Sequence, residues 1–215
     1  MIEAVVFDMD GVLVDTEQVW DEVREELVRE RGGRWSDRAQ ADMMGMSSTE
    51  WSRYMHDELA LTEEPEEINE EVVRRMLGRY ETDLPLIPGA VDAVRRLAPE
   101  LTLALASSSN RPLIDAVLRR AGITDLFATT VSSEEVARGK PAPDVFLEAA
   151  RRLGVTAERC VAVEDSSNGL RAAGAAGMRL IAFPNSHYPP APDALALADV
   201  VLASLDELTP ALARG

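Results

Sequence analysis

Lysine is almost missing from this 215-residue chain: Lys and Arg together number 22, yet Lys140 is the single lysine and all the other cations are arginine. A generic surface charge is met here by guanidinium. The ammonium in Gly139-Lys140-Pro141-Ala142-Pro143-Asp144 therefore marks a place that needs a compact point charge on a flexible stem, as one phosphate oxygen does. Cysteine is as scarce. Cys160 stands alone, which excludes an intramolecular disulfide and fits a reducing compartment. In Arg159-Cys160-Val161-Ala162-Val163 it reads as an inert buried thiol. Long apolar runs are lacking too. The N-terminal stretch has no basic leader and is cut by Asp8 and Asp10, so neither a signal peptide nor a membrane span is expected, and a cytoplasmic protein is. Positive charge is the last scarcity: a formal net charge of -16 would repel nucleic acid and anionic membranes alike. The same deficit means that an anionic substrate would need local cations or a metal.

What is present is ordinary for a soluble globular protein, with 46% hydrophobic and 28% charged residues, and long enough for one large domain or a medium one with a small companion. The chain opens on Ile2-Glu3-Ala4-Val5-Val6-Phe7, an apolar strand that runs into Asp8-Met9-Asp10-Gly11. Side chains at i and i+2 of an extended segment point the same way, so Asp8 and Asp10 can face one small volume. Two adjacent carboxylates repel unless a divalent cation or a shared proton joins them.

Five further short apolar runs follow, at 101–106, 127–131, 160–163, 180–183 and 200–202, separated by helical stretches. That alternation predicts an α/β fold, a doubly wound, Rossmann-like parallel sheet with helices on both faces. Pro88, Asn110 with Pro112, Pro143 and Ser166 signal helix starts; Gly122, Gly154 and Gly177 signal stops. Residues 16–83 break the alternation with helical patterns at 19–31, 37–44, 48–59 and 66–80, and Ser47 with Glu50 reads as a capping box. The expected division is a core of residues 1–15 and 84–215 and an inserted α-helical cap of residues 16–83. In such a sheet ligands bind beyond the carboxyl ends of the strands. The polar residues there are Asp8 and Asp10, then Ser107 to Asn110, then Glu164-Asp165-Ser166-Ser167-Asn168-Gly169, with Lys140 after the third strand.

Phe-Asp-Met-Asp-Gly, Leu-Ala-Ser-Ser-Ser, Gly-Lys-Pro-Ala-Pro-Asp and Val-Glu-Asp-Ser-Ser-Asn-Gly, in this order and spacing, resemble the motif set of the haloacid dehalogenase superfamily over essentially the whole chain. The helical insert resembles the cap of the beta-phosphoglucomutase and phosphoglycolate phosphatase-like members. The resemblance implies that Asp8 attacks phosphorus and forms an aspartyl phosphate, and that Asp10 protonates the leaving alkoxide and later takes a proton from water. It implies Mg²⁺ held by Asp8, the Asp10 backbone carbonyl, Asp165 and Glu164, the last directly or through water, and phosphoryl oxygens held by Ser107, Ser108 and Lys140 with nearby backbone N–H groups.

Residues discriminate among the related reactions. Dehalogenases lack a second aspartate, and phosphonate hydrolases of this fold use a cap lysine that this chain does not have. Beta-phosphoglucomutases typically carry a histidine four residues after the threonine of Asp15-Thr16, and an arginine in a Gly-x-Ser-Arg cap loop. This chain has Trp20 at the first place and Ser48 at the second. The expectation is a Mg-dependent phosphatase acting on a small phosphorylated metabolite. The alternatives are a sugar-phosphate mutase and, outside enzymes, a phosphometabolite-binding or receiver-like signalling protein. Met43, Met44, Met46, Trp51, Tyr54 and Met55 are expected as cap core at helical spacing, and Arg53, Arg74, Arg75 and Arg79 as the cap cations that could contact substrate.

Overall fold

A computed structural model describes every residue of the chain except Gly45, in the cap loop compared above, and Ser186; both lie outside the described residues. Strand β1 (Ala4–Phe7) is buried along its whole length, with Ala4 and Val6 in one apolar cluster and Val5 and Phe7 in another. Period-2 alternation between two apolar faces is what a central parallel strand needs, because helices cover both sides.

Four helices follow: α1 (Glu17–Glu30), α2 (Ala39–Met43), α3 (Ser48–Asp57) and α4 (Pro65–Thr82). The chain then continues α5 (Ala90–Leu97), β2 (Thr102–Ser107), α6 (Arg111–Ala121), β3 (Thr129–Ser132), α7 (Asp144–Leu153), β4 (Cys160–Glu164), α8 (Ser167–Ala175), β5 (Arg179–Ala182), α9 (Pro192–Leu195), β6 (Val200–Val201) and α10 (Pro210–Arg214). All pairings are parallel, in the order β3-β2-β1-β4-β5-β6. The chain steps outward from β1 to β3, then returns to the other side of β1 for β4. The crevice between β1 and β4 is therefore the switch point where this sheet type binds ligands.

Helix ends obey local chemistry. Ser47 and Glu50 form the capping box that opens α3, and Glu64 and Glu67 form another at α4, whose first residue is Pro65. The Ser166 side chain accepts from the Gly169 N–H at the start of α8, and Gly122 and Gly154 close α6 and α7 in the left-handed conformation.

The helical block is tied to the sheet by two neighbouring crossings. Ile87 N–H donates to Leu13 O at 3.0 Å, Asp15 N–H to Pro85 O at 2.8 Å, and Val14 bridges Leu86 antiparallel. Helix α1 presents positions 20, 23, 24, 27 and 28 inward, the i, i+3, i+4 stripe of an amphipathic helix. Four of the five are apolar, and the fifth is Arg24.

Candidate active site

Four loops leave the carboxyl ends of β1, β2, β3 and β4 and meet at one cavity. It contains about 540 Å³ of atom-free space, part of it open to solvent. From the sheet side it is lined by Asp8, Asp10, Ser108, Ser109, Lys140 and Asp165, and from the helical block by Glu17, Trp20, Arg24, Met43, Met46 and Trp51.

Asp8 follows β1 directly, and its backbone N–H continues the ladder to Val163 O at 3.0 Å. Lys140 is 4% exposed and its ammonium lies 2.8 Å from Asp8 Oδ1 and 2.6 Å from Glu164 Oε1, with the Phe146 ring 4.9 Å away. Burial alone would lower the Lys140 pKa, but the charges of Asp8 and Glu164 outweigh it and raise it, so the ammonium stays charged. Burial pushes Asp8 up to about 8, with Glu164 and Asp10 adding to the rise and Lys140 opposing it. Burial likewise holds Asp165 well above the usual carboxylate range, helped by Glu164 and Asp8.

The acidic oxygens of Asp8, Glu164 and Asp165 come within 4.8 Å of one another. With all three ionised, the carboxylates would leave two negative charges against one ammonium, which a divalent cation would neutralise. Asp165 Oδ2 is buried with no hydrogen-bond partner, and a Cβ on Gly11 would stand 1.9 Å from it. Gly11, at φ +82°, thus serves both the turn and the close approach of the acid. An orphaned buried oxygen among all-oxygen donors fits Mg²⁺, and Asp165 is the residue with a vacancy for it. Glu164 is otherwise engaged. Its Oε2 accepts from the N–H groups of Asp165 and Ser166 at 2.9 and 3.0 Å and from the Ser166 hydroxyl at 3.1 Å, while Oε1 holds Lys140. That pattern makes it a brace for the ammonium. A Cβ at Gly169 would collide with it, 1.7 Å from Oε1.

The Asp10 side chain faces a separate set of partners. Thr16 Oγ1 lies 2.5 Å from Oδ1, Trp20 Nε1 donates to the same oxygen at 3.2 Å, and Ser109 Oγ lies 2.6 Å from Oδ2. Hydroxyls donate or accept as required, so both oxygens of Asp10 keep hydrogen bonds whether the carboxyl holds a proton or not. Ser107 is wholly buried and its Oγ accepts from the Ser109 N–H at 3.0 Å, which fixes the turn that aims Ser108 and Ser109 at the cavity. Ser132 and Ser133, at the end of β3, donate to the carbonyls of Ser109 and Ser108 and brace that turn from behind.

Such a constellation can be set beside proteins of known kind. A family model described as haloacid dehalogenase-like hydrolase matches residues 2–177. The chain belongs to this family. It is 36% identical to hexitol phosphatase B of Escherichia coli strain K12, over 97% of this chain and 95% of that protein. Among solved structures it resembles CbbY from Rhodobacter sphaeroides in complex with phosphate, at 31% identity and a TM-score of 0.83, covering 97% of this chain and 96% of that one. It also resembles a beta-phosphoglucomutase from Clostridium difficile, at 25% identity and a TM-score of 0.82, covering 97% and 94%. Among the described residues of this haloacid dehalogenase-like hydrolase, no helix is long and apolar enough to cross a membrane.

The motif residues Asp8, Asp10, Ser108, Lys140 and Asp165 line one cavity, while Ser107 and Glu164 stand behind it as supports. Four cap arginines singled out by sequence go elsewhere: Arg74, Arg75 and Arg79 pair with Glu71, Glu30 and Glu26 on the outer surface, and Arg53 lines a separate groove. Met55 is core, as its helical spacing implies, but Met43, Met44, Met46 and Trp51 also wall the cavity. Glu17 and Arg24 are the additions that sequence reading missed, and Ser109, read there only as part of the polar loop at 107–110, contacts Asp10. Arg24 carried a signal all the same, a cation on the apolar stripe of α1.

Proposed function

We propose that this hydrolase is a Mg²⁺-dependent phosphatase of small phosphorylated sugars or related metabolites, with residues 16–83 acting as a cap that closes over the core. The observation that carries this reading is the buried Lys140 ammonium shared by Asp8 and Glu164, beside an Asp10 carboxyl held by two reversible hydroxyls. It is supported by kinship with hexitol phosphatase B.

An Asp8 carboxylate oxygen attacks phosphorus as the bond to the alkoxide oxygen breaks, and Asp10 gives its proton to that oxygen. Water then attacks the aspartyl phosphate with Asp10 taking its proton, which returns Asp8 and releases inorganic phosphate. Lys140 and the backbone N–H groups around Ser108 and Ser109 hold the phosphoryl oxygens as charge moves. Asp8, Asp165 and the Asp10 carbonyl would hold Mg²⁺, which when bound neutralises charge on the phosphoryl group and keeps Asp8 ionised. Closure of the helical block excludes bulk water and large substrates.

Structural likeness to a beta-phosphoglucomutase keeps one second reading, phosphoryl return to a sugar. The indole N–H of Trp20 speaks against it, since it donates to Asp10 and cannot accept a proton where mutases of this type carry histidine. The test is inorganic phosphate release from a panel of small phosphate esters, with Mg²⁺ or EDTA, for wild type and Asp8→Asn. Release that requires both Mg²⁺ and Asp8 is expected. Absence of release, with conversion of beta-glucose 1-phosphate to glucose 6-phosphate once a bisphosphate primer is added, would replace the phosphatase by the mutase.

A further inference from the structure

Arg24 is 5% exposed, on the face of α1 that also buries Trp20, Val23, Leu27 and Val28. A guanidinium carries five N–H donors, and burying it without partners is costly. Here it makes one long hydrogen bond, Nη1 to Gln40 Oε1 at 3.4 Å, while Nε is buried with no partner. Among the described residues it forms no ion pair within 4.0 Å. What holds it is stacking: its guanidinium carbon lies 4.5 Å from the Trp20 ring centroid and 4.9 Å from that of Trp51. The Trp20 indole meets the guanidinium with its face and Asp10 with its N–H edge, and both Arg24 and Asp10 line the cavity. A rigidly stacked cation with unused donors, walling the same cavity as the phosphoryl site, is prepared for a ligand.

Its neighbours say which kind. Gln40 links Arg24 to a carboxylate, since Gln40 Nε2 donates to Glu17 Oε2 at 3.0 Å, and Glu17 lines the cavity too. The cap wall thus offers a guanidinium and a carboxyl side by side, with Met43, Met46 and Trp51 around them. Burial pushes the Glu17 carboxyl up to about 7, so above neutral pH a second phosphate or a carboxylate drawn to Arg24 would meet it as a like charge. A hydroxyl accepts from the guanidinium and donates to the carboxylate, and a hydroxylated carbon chain satisfies both.

We propose that Arg24, with Glu17, is a specificity-determining residue that binds the uncharged, hydroxyl-bearing end of the substrate, selecting polyol or sugar monophosphates over bisphosphates and phosphocarboxylates. This rests on the phosphatase reading for its turnover test and is independent of it for its binding test.

The turnover test compares kcat/KM for a six-carbon polyol monophosphate with that for hexyl phosphate, which has the same carbon count and no hydroxyls, in wild type, Arg24→Met and Arg24→Lys. Methionine is apolar and flexible, and it fills the stripe position of α1. The polyol-to-hexyl ratio is expected to fall about 10- to 100-fold in Arg24→Met, as for loss of hydrogen bonds from a charged donor, and to recover in part in Arg24→Lys. A structural role would lower both substrates together, and an unchanged ratio would overturn the proposal. So would a wild type that prefers the polyol's bisphosphate to its monophosphate. The binding test titrates the polyol monophosphate by calorimetry into Asp8→Asn and into Asp8→Asn with Arg24→Met. Affinity lower by the same factor in the double variant supports the subsite; equal affinity refutes it. Should no ester be hydrolysed by the wild type, the phosphatase reading falls and calorimetry alone still decides Arg24.

Discussion

The two walls of the cavity are built on opposite electrostatic plans. On the sheet side the ammonium of Lys140 is saturated, lying against Asp8 and Glu164, and the unsatisfied atom is an anion's, Asp165 Oδ2. On the helical side the anion Glu17 is engaged by Gln40, and the unsatisfied atom is a cation's, Arg24 Nε. A buried polar atom without a partner is costly, so each vacancy points to what is absent. The sheet wall has room for a cation and the helical wall for an acceptor. In the proposed reading, chemistry that acts on every phosphate ester belongs to the first wall and choice among esters to the second.

The widest separation of the walls should come from Asp8. Asp8→Asn is expected to lower phosphate release by at least about 10⁴-fold for every ester tested, because it removes the nucleophile and nothing else in the cavity replaces it. Asp10→Asn should cost about 10²- to 10⁴-fold, with the loss smaller for esters of acidic alcohols such as p-nitrophenol, whose leaving group needs no proton. Steady-state kinetics on an alkyl and an aryl phosphate measures both. An equal loss on the two esters would remove Asp10 from the role of acid.

Legibility in the sequence follows the same divide. Apart from Lys140, which stands out as the single lysine, the residues of the sheet wall sit where a strand meets a loop, and strand ends are readable because an apolar run stops. Asp8 follows Phe7, Ser107 ends β2 and Glu164 ends β4, so short-range pattern located all three. Their convergence required only the general geometry of parallel sheets. The helical wall has no such landmark. Periodicity places 20, 23, 24, 27 and 28 on one face of α1, but whether that face meets core or cavity depends on where α3 and α4 pack. Tertiary contact likewise decided the arginines: Arg74, Arg75 and Arg79 found carboxylates on the surface, and Arg24 found two indoles. Ser107 and Ser109 differ by two positions, yet only the turn geometry shows that the first supports the loop and the second faces Asp10.

A pH series probes the sheet wall first and, through Glu17, the helical wall as well, since burial pushes the Glu17 carboxyl up to about 7. Burial lifts Asp8 from an ordinary value near 3.8 to about 8 in the metal-free protein. Between those values the folded protein holds a proton that the unfolded chain has released, so stability falls as pH rises through that window. The contribution is complete below pH 3.8 and is lost on passing pH 8. Mg²⁺ binding expels the same proton and strengthens with pH. In EDTA the melting temperature should therefore drop by several degrees between pH 6 and pH 9, and the gain on adding Mg²⁺ should be larger at pH 9. Asp8→Asn should reduce both trends, leaving the parts that belong to Glu17 and Asp165. A Mg²⁺ gain that shrinks with rising pH would mean that Asp8 is not among the groups the metal deprotonates.

The smallest effect is expected where the walls touch. Asn110, at the start of α6, donates through Nδ2 to Asn69 Oδ1 of α4 at 3.0 Å and to Glu134 Oε1 at 2.7 Å, and the Ser48 hydroxyl of α3 lies 3.3 Å from that same Glu134 oxygen. These bonds latch the helical block over the loops of the sheet. Asn69→Ala removes one neutral bond while Asn110 keeps Glu134, so closure should weaken by about 1 kcal/mol, or about fivefold in KM. The latch touches no substrate, so the increase should be the same for the polyol phosphate and for hexyl phosphate. That uniformity is the contrast with Arg24, whose loss changes the ratio between them. A change of ratio in Asn69→Ala would mean that closing the cap also reads the substrate, and the division of labour between the two walls would have to be redrawn.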